Sequence, residues 1–293
     1  MSVSRSQYLV ETDWLAARLT DPALRVLECT VLLHPDPALG FRAESGRAAW
    51  AAGHIPGSGF ADLTDDLSDR ASRLRFMSPP VPQFEEAMSR LGVGNGVRVI
   101  LYDRAMNMWA ARVWWMLRAF GFDDAAVLNG GWRKWTREGR PVSTEPDRPA
   151  PARFTAKPRP ELFAGKSGVL AAIGDRSTCV LNALSEEQHR GTGGVAYGRP
   201  GRIAGSANLP ARDLVDPETH AYLDSATLSA RFAAIGALEA GRVITYCGGG
   251  IAASSDAFIL TLLGHEHVAV YDASLSEWAA DPTLPMETGE ARG

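Results

Sequence analysis

Apolar and polar positions along the chain alternate between two kinds of segment. Short runs of aliphatic and β-branched residues at 24–29 (LRVLEC), 179–182 (CVLN) and 243–245 (VIT) read as buried strands. Helices are expected at 12–19, 166–173 and 251–263; in the last, Phe258, Ile259, Leu262 and Leu263 fall on one helical face. Strands alternating with helices predict an α/β fold, with mostly parallel sheets flanked by helices and right-handed crossovers.

The pattern also repeats. Residues 97–135 (VRVILYDRAMNMWAARVWWMLRAFGFDDAAVLNGGWRKW) align with 241–278 (GRVITYCGGGIAASSDAFILTLLGHEHVAVYDASLSEW), with one extra residue in the first copy's loop. Tyr102 matches Tyr246, Gly121 matches Gly264 and Trp135 matches Trp278. Gly53-His-Ile-Pro-Gly57, a turn leading into a short strand, echoes Gly201-Arg-Ile-Ala-Gly205. A period near half the chain marks a domain duplication rather than a solenoid. The expected domains are 1–140 and 161–293. Between them, the proline-dense stretch 141–160 reads as an extended linker or as an ordered strap over the first domain.

Composition narrows the function classes. At 293 residues, 45% hydrophobic and 22% charged, the chain has the length and balance of a two-domain soluble protein. A net charge of −4 argues against a nucleic-acid partner. Neither an apolar signal core nor a run of membrane-spanning length is present, so no membrane partner is expected. Three cysteines, widely spaced and odd in number, make neither a disulfide framework nor a zinc site. A reducing cytoplasm is the expected setting.

The chemistry concentrates where a strand should end and a helix begin, at Tyr246-Cys247-Gly248-Gly249-Gly250-Ile251-Ala252-Ala253. Glycines let the backbone curl tightly and leave its N–H groups unobstructed. Added to the positive end of the following helix, such a nest stabilises a thiolate or an anion attached to it. A lone cysteine at a strand end is otherwise a small core residue, which is the reading for Cys29 and Cys179, neither followed by glycines or a helix start. A phosphate-binding P-loop needs a Gly-Lys-Ser/Thr that is absent. A cysteine phosphatase needs an arginine closing the loop, and that position is Ala253.

The loop, together with Val-Tyr-Asp-Ala-Ser-Leu-Ser-Glu-Trp at 270–278, resembles the catalytic domain of tandem-domain rhodaneses, the thiosulfate and 3-mercaptopyruvate sulfurtransferases. The resemblance implies two rhodanese-like domains and a catalytic Cys247. That residue would take sulfur from a small donor as a persulfide held by the N–H groups of Gly248, Gly249, Gly250, Ile251, Ala252 and Ala253. The acceptor would be a thiol, a protein thiol or cyanide, and neither metal nor organic cofactor is implied. The first copy carries Asp103 at the cysteine position and Arg-Ala-Met-Asn-Met for the glycines, so it should be inactive and should offer no nest of N–H groups.

The donor's anionic end is expected on Arg190 and Arg199, with Arg202 structural. Two arginines usual in the family are replaced, one by Leu184 and one by Gln188. In the mercaptopyruvate branch a histidine with an acidic partner faces the cleft; the matching residues here are His54 and Glu44. Gly249 stands where that branch has a hydroxyl, so any relay with His54 lacks that member. The uncharged loop leans slightly towards 3-mercaptopyruvate. A carrier module that relays sulfur to a protein partner without turning over small donors is the alternative.

Overall fold

The computed structural model describes residues 5–36, 40–146, 149–150, 152–195 and 197–290. Two five-stranded sheets organise it, and they share one strand order. The first runs Leu9–Val10, Ala125–Leu128, Arg98–Tyr102, Leu24–Glu28, Gly59–Phe60. The second runs Phe163–Ala164, Val268–Tyr271, Arg242–Tyr246, Thr178–Asn182, Ala207–Asn208. All pairings within both are parallel, and the central ones share a register, Glu28 opposite Tyr102 and Asn182 opposite Tyr246. Their central strands are buried beyond the first residue or two because helices cover both faces.

The duplication extends to single atoms. The buried Tyr102 hydroxyl accepts from the Ile55 N–H (3.2 Å) and meets Ser58 Oγ (2.9 Å). Tyr246 does the same with the Ile203 N–H (3.1 Å) and Ser206 Oγ (2.7 Å). Trp135 and Trp278 each donate their indole N–H to the carbonyl of a proline, Pro141 or Pro285. The tyrosines tie a strand end to the turn at 53–57 or 201–205, and the tryptophans tie a helix to the segment after it, which is why these residues recur in both copies.

The domains meet through equivalent helices, Met108–Ala119 and Ile251–Leu262. Trp114 of the first sets its edge on Phe258 of the second, with ring centroids 4.8 Å apart. Enclosed between its own sheet and its partner, the second helix is buried almost all round from Ala253 to Thr261, in place of the expected single apolar face. One apolar core therefore runs through both domains. Arg112, fully buried on the first helix, pairs with Asp272 of the second domain at 2.5 Å.

Of the stretch 141–160, the described residues lie as an ordered strap on the first domain. Ser143 exchanges two 2.9 Å hydrogen bonds with His54, Phe154 is buried against Phe84, and the Lys157 and Arg159 N–H groups donate to Phe120 and Ala119. The first domain adds an antiparallel hairpin, Val31–Asp36 with Gly40–Ser45, which reaches towards the second. Among the described residues no helix is long and apolar enough to cross a membrane.

Candidate active site

Cys247 follows the central strand Arg242–Tyr246 directly, at the end of the sheet where α/β proteins bind their ligands. Gly250 caps the helix that begins at Ile251, in the left-handed conformation (φ 78°) that glycine adopts without penalty. Ser274 fixes the loop from below. Its Oγ accepts from the Cys247 and Gly250 N–H groups (3.1 and 3.2 Å) and donates to Tyr271 O (2.7 Å). Ser276 donates both its backbone N–H (3.0 Å) and its hydroxyl (2.6 Å) to Gly248 O. A Cβ on Gly250 would lie 3.0 Å from Asp272 O and from its carboxylate. Gly250→Ala should therefore lose more than the roughly 1–2 kcal/mol that left-handed backbone costs an L residue, and should slow alkylation of Cys247. Urea unfolding together with iodoacetamide labelling checks this; wild-type values in both would mean that the turn tolerates a side chain.

Cys247 is 3% exposed and lies on the wall of a cavity of about 690 Å³ between the domains. The second domain contributes Leu184, Gln188, Tyr197, Gly248, Gly249 and Ile251; the first contributes the hairpin's Leu33 and Phe41, the segment 73–76, and Met106, Met108 and Trp109. Tyr197 takes the space in which a side chain on residue 248 would lie, so that ring requires Gly248. Burial and the neighbouring Cys247 push the Tyr197 hydroxyl up, against a smaller opposing effect of Arg75. The first-domain segment is held in place from both domains. Arg112 donates to Phe76 O (2.7 Å), Asp272 accepts from the Ser78 N–H (2.8 Å), and Phe76 is forced to a positive φ of 63°. A bulky residue in that region marks local strain, of the kind found at functional sites.

The first copy's loop departs from expectation. Despite its bulk it does form a nest of N–H groups, because Met106 and Asn107 both adopt left-handed conformations (φ 58° and 64°). Asp103 fills that nest itself. Its carboxylate accepts from the N–H groups of Ala105 (2.7 Å), Asn107 (3.0 Å) and Ala110 (2.9 Å). Asn107 and Gly250 cap equivalent helices with nearly the same backbone angles. The geometry thus suits an anion at the Asp103 position and, by the repeat, one on Cys247. Burial outweighs these bonds and raises the Asp103 carboxyl to about 6. With the folded value above the unfolded one, the native state holds the proton longer, so stability falls as pH rises from about 4 to 6 and is level above. In the difference between wild type and Asp103→Asn this should appear as a decline of at most about 3 kcal/mol; a flat difference curve would contradict it.

Four expected site residues lie elsewhere. His54 is 1% exposed, stacked on Trp50 at 4.5 Å with Nδ1 on Trp50 O (2.8 Å), and it does not line the cavity. Its bridge to Ser143 makes it part of the strap. Glu44 is exposed on the hairpin and pairs with His34 and Arg42, each at 3.2 Å, not with His54. Arg190 is held by Glu186 and by Glu290 (2.8 Å). Arg199 spends its guanidinium on the carbonyls of Trp278, Ala279, Asp281 and Leu284, closing the helix Ser274–Trp278. Neither arginine lines the cavity. Arg202 is buried against Glu287 and the carbonyls of Gly289 and Glu290, in a structural place. Gln188 does reach the cavity, but its amide caps its own helix and donates to Val195 O.

Ser274, Ser276, Tyr197 and the segment 73–76 are the site residues not singled out from the sequence. The two serines stood within the quoted 270–278 motif, and their spacing after the preceding strand was the available signal. Burial raises the thiol of Cys29, helped by Asp103 and Glu28, and burial alone raises that of Cys179 to about 11.

Comparison with known proteins agrees with this architecture. A family model described as "Rhodanese-like domain" matches residues 11–138 and 184–281. The chain is 33% identical to the thiosulfate sulfurtransferase of Bos taurus, covering 97% of this chain and 95% of that one. It is 31% identical to the "Sulfur carrier protein TtuD" of Thermus thermophilus, over 99% and 100% of the two chains. Among solved structures, SseA from Escherichia coli, described as a 3-mercaptopyruvate sulfotransferase of "Rhodanese" fold, superposes with a TM-score of 0.80 at 28% identity, covering 92% of this chain and 98% of that one. The chain belongs to the rhodanese-like family and is a sulfurtransferase of the tandem-domain type.

Proposed function

We propose that the protein moves a sulfane sulfur from a small anionic donor to a thiol acceptor through a persulfide on Cys247. The observation that carries this reading is the loop itself, a cysteine on a cavity wall followed by a turn whose equivalent in the other domain holds a carboxylate on three backbone N–H groups. The Cys247 thiolate attacks the donor's outer sulfur. A new S–S bond forms, and the donor's own bond to that sulfur breaks with its electron pair, leaving sulfite from thiosulfate or the enolate of pyruvate from 3-mercaptopyruvate. The N–H groups of residues 248–253 stabilise the charge on the bound sulfur. An acceptor nucleophile (the thiolate of a small thiol or protein thiol, or cyanide in assays) then attacks the outer sulfur, the S–S bond breaks, and its electron pair restores the Cys247 thiolate.

The donor reading favours 3-mercaptopyruvate slightly, because the loop carries no cation for a dianion. The test is the ratio of kcat/KM for the two donors. A thiosulfate preference of tenfold or more, about 1.4 kcal/mol in transition-state binding, overturns that preference. A second reading, relay to a protein partner, has support in the printed name of the Thermus thermophilus relative and in Leu184 and Gln188 at two family arginine positions. It requires that neither small donor sustain turnover.

A further inference from the structure

The proposed donors are anions, yet the arginines expected to hold them are engaged elsewhere. The cavity nonetheless has a charge, and one sign only. Among the described residues its lining includes three arginines, Arg73, Arg75 and Arg212, and no aspartate, glutamate, lysine or histidine. Arg212 stands beside Glu187 (3.8 Å) and Asp213 (3.7 Å), which offset it. Arg73 and Arg75 have no carboxylate partner among the described residues. Arg75 stacks on Phe41 with its guanidinium 4.9 Å from the ring centre, and gives one N–H to Phe41 O at 2.7 Å. That bond aims the group and leaves its other donors open. Arg75 O lies 3.7 Å from where a Cβ on Gly249 would stand, so this first-domain segment crosses directly over the Cys247 loop. The Arg112–Asp272 pair and the Ser78–Asp272 hydrogen bond fix the segment to the second domain.

We infer that the non-catalytic domain supplies the anion clamp of the active site, with Arg73 and Arg75 holding the donor's anionic end while its sulfur faces Cys247. This rests on the Cys247 reading above and specifies which residues choose the donor. It also gives the first domain a part in the reaction that its filled Asp103 loop does not. Guanidinium groups suit the task because they meet a carboxylate or sulfonate-like oxygen pair with two parallel N–H bonds. Both side chains are exposed to solvent, so their attraction should weaken with salt.

The test compares two alkylating agents of similar size on the intact protein, anionic iodoacetate and neutral iodoacetamide. Both displace iodide with the Cys247 sulfur, and neither needs a sulfur donor or turnover, so the result stands whatever the assay for sulfur transfer gives. The ratio of iodoacetate to iodoacetamide rates should fall about tenfold in the double variant Arg73→Gln/Arg75→Gln, with the iodoacetamide rate unchanged as the control for fold and access. Arg75→Lys should keep part of the ratio, and raising ionic strength should lower the wild-type ratio. With a competent donor, the same double variant should raise KM more than it lowers kcat. A wild-type ratio in the double variant overturns the inference. So does a drop confined to Arg190→Ala or Arg199→Ala, which would return the clamp to the second domain.

Discussion

Cys247→Ser should abolish sulfur transfer, while Cys29→Ser and Cys179→Ser should retain most of it. The three thiols differ in place more than in kind. Cys29 is fully buried in the first domain's core, and the charges of Asp103 and Glu28 add to burial in keeping its thiol protonated. Cys179 opens a central strand of the second sheet and is raised to about 11 by burial alone. Cys247 alone among them lines the cavity, at a helix start, with its backbone pinned by Ser274. A serine hydroxyl there keeps the shape but neither ionises readily nor forms a persulfide, so the loss should reach several orders of magnitude in kcat/KM. Steady-state assays with each donor check the set. Activity within tenfold of wild type in Cys247→Ser would remove the cysteine from the mechanism.

The largest effect on stability should come from Arg112→Met. Its guanidinium is fully buried and holds Asp272 (2.5 Å) and Phe76 O (2.7 Å), thereby joining the domains beneath the Gly250 turn. Removing one partner strands a buried carboxylate, which costs on the order of 3–5 kcal/mol. Urea unfolding should register that loss, and the segment over the Cys247 loop should loosen, lowering activity in the remaining folded protein. Removing the second charge as well, in Arg112→Met/Asp272→Asn, should recover part of the stability. A single-variant loss below about 1 kcal/mol, the range of an exposed pair, would show that the two groups are solvated and that the interface does not depend on them.

Much of the fold could be read in the sequence because the fold was written twice. The repeat aligned Tyr102 with Tyr246 and Trp135 with Trp278, and those residues make the same hydrogen bonds in both copies. Cys247 was legible for a local reason: strand, glycines and helix start are consecutive, and their geometry depends little on distant contacts. What failed was long-range. Arg190, at a short helix's end, and Arg199, His54 and Glu44, in irregular or edge segments, have side-chain directions set by tertiary partners, Glu290, the Ser274–Trp278 helix end, Trp50 and His34. For the same reason Arg73 and Arg75 gave no signal, since nothing in Arg-Leu-Arg-Phe announces that it will cross a loop more than a hundred residues away. Tyr197 became readable only through the space left at Gly248. Residue size does not decide the backbone of the Asp103 loop: Asn107 and Met106 accept left-handed backbone once a carboxylate draws the N–H groups together.

The central claim is a sulfur atom carried on one residue, and peptide-level mass spectrometry observes it directly. Protein treated with 3-mercaptopyruvate or thiosulfate, without acceptor, and digested under non-reducing conditions should show one added sulfur on the peptide containing Cys247. That sulfur should be lost on adding cyanide or a thiol, and it should be absent from the peptides of Cys29 and Cys179. Turnover of either donor with no sulfur ever found on Cys247, or with the sulfur on another cysteine, would contradict the account.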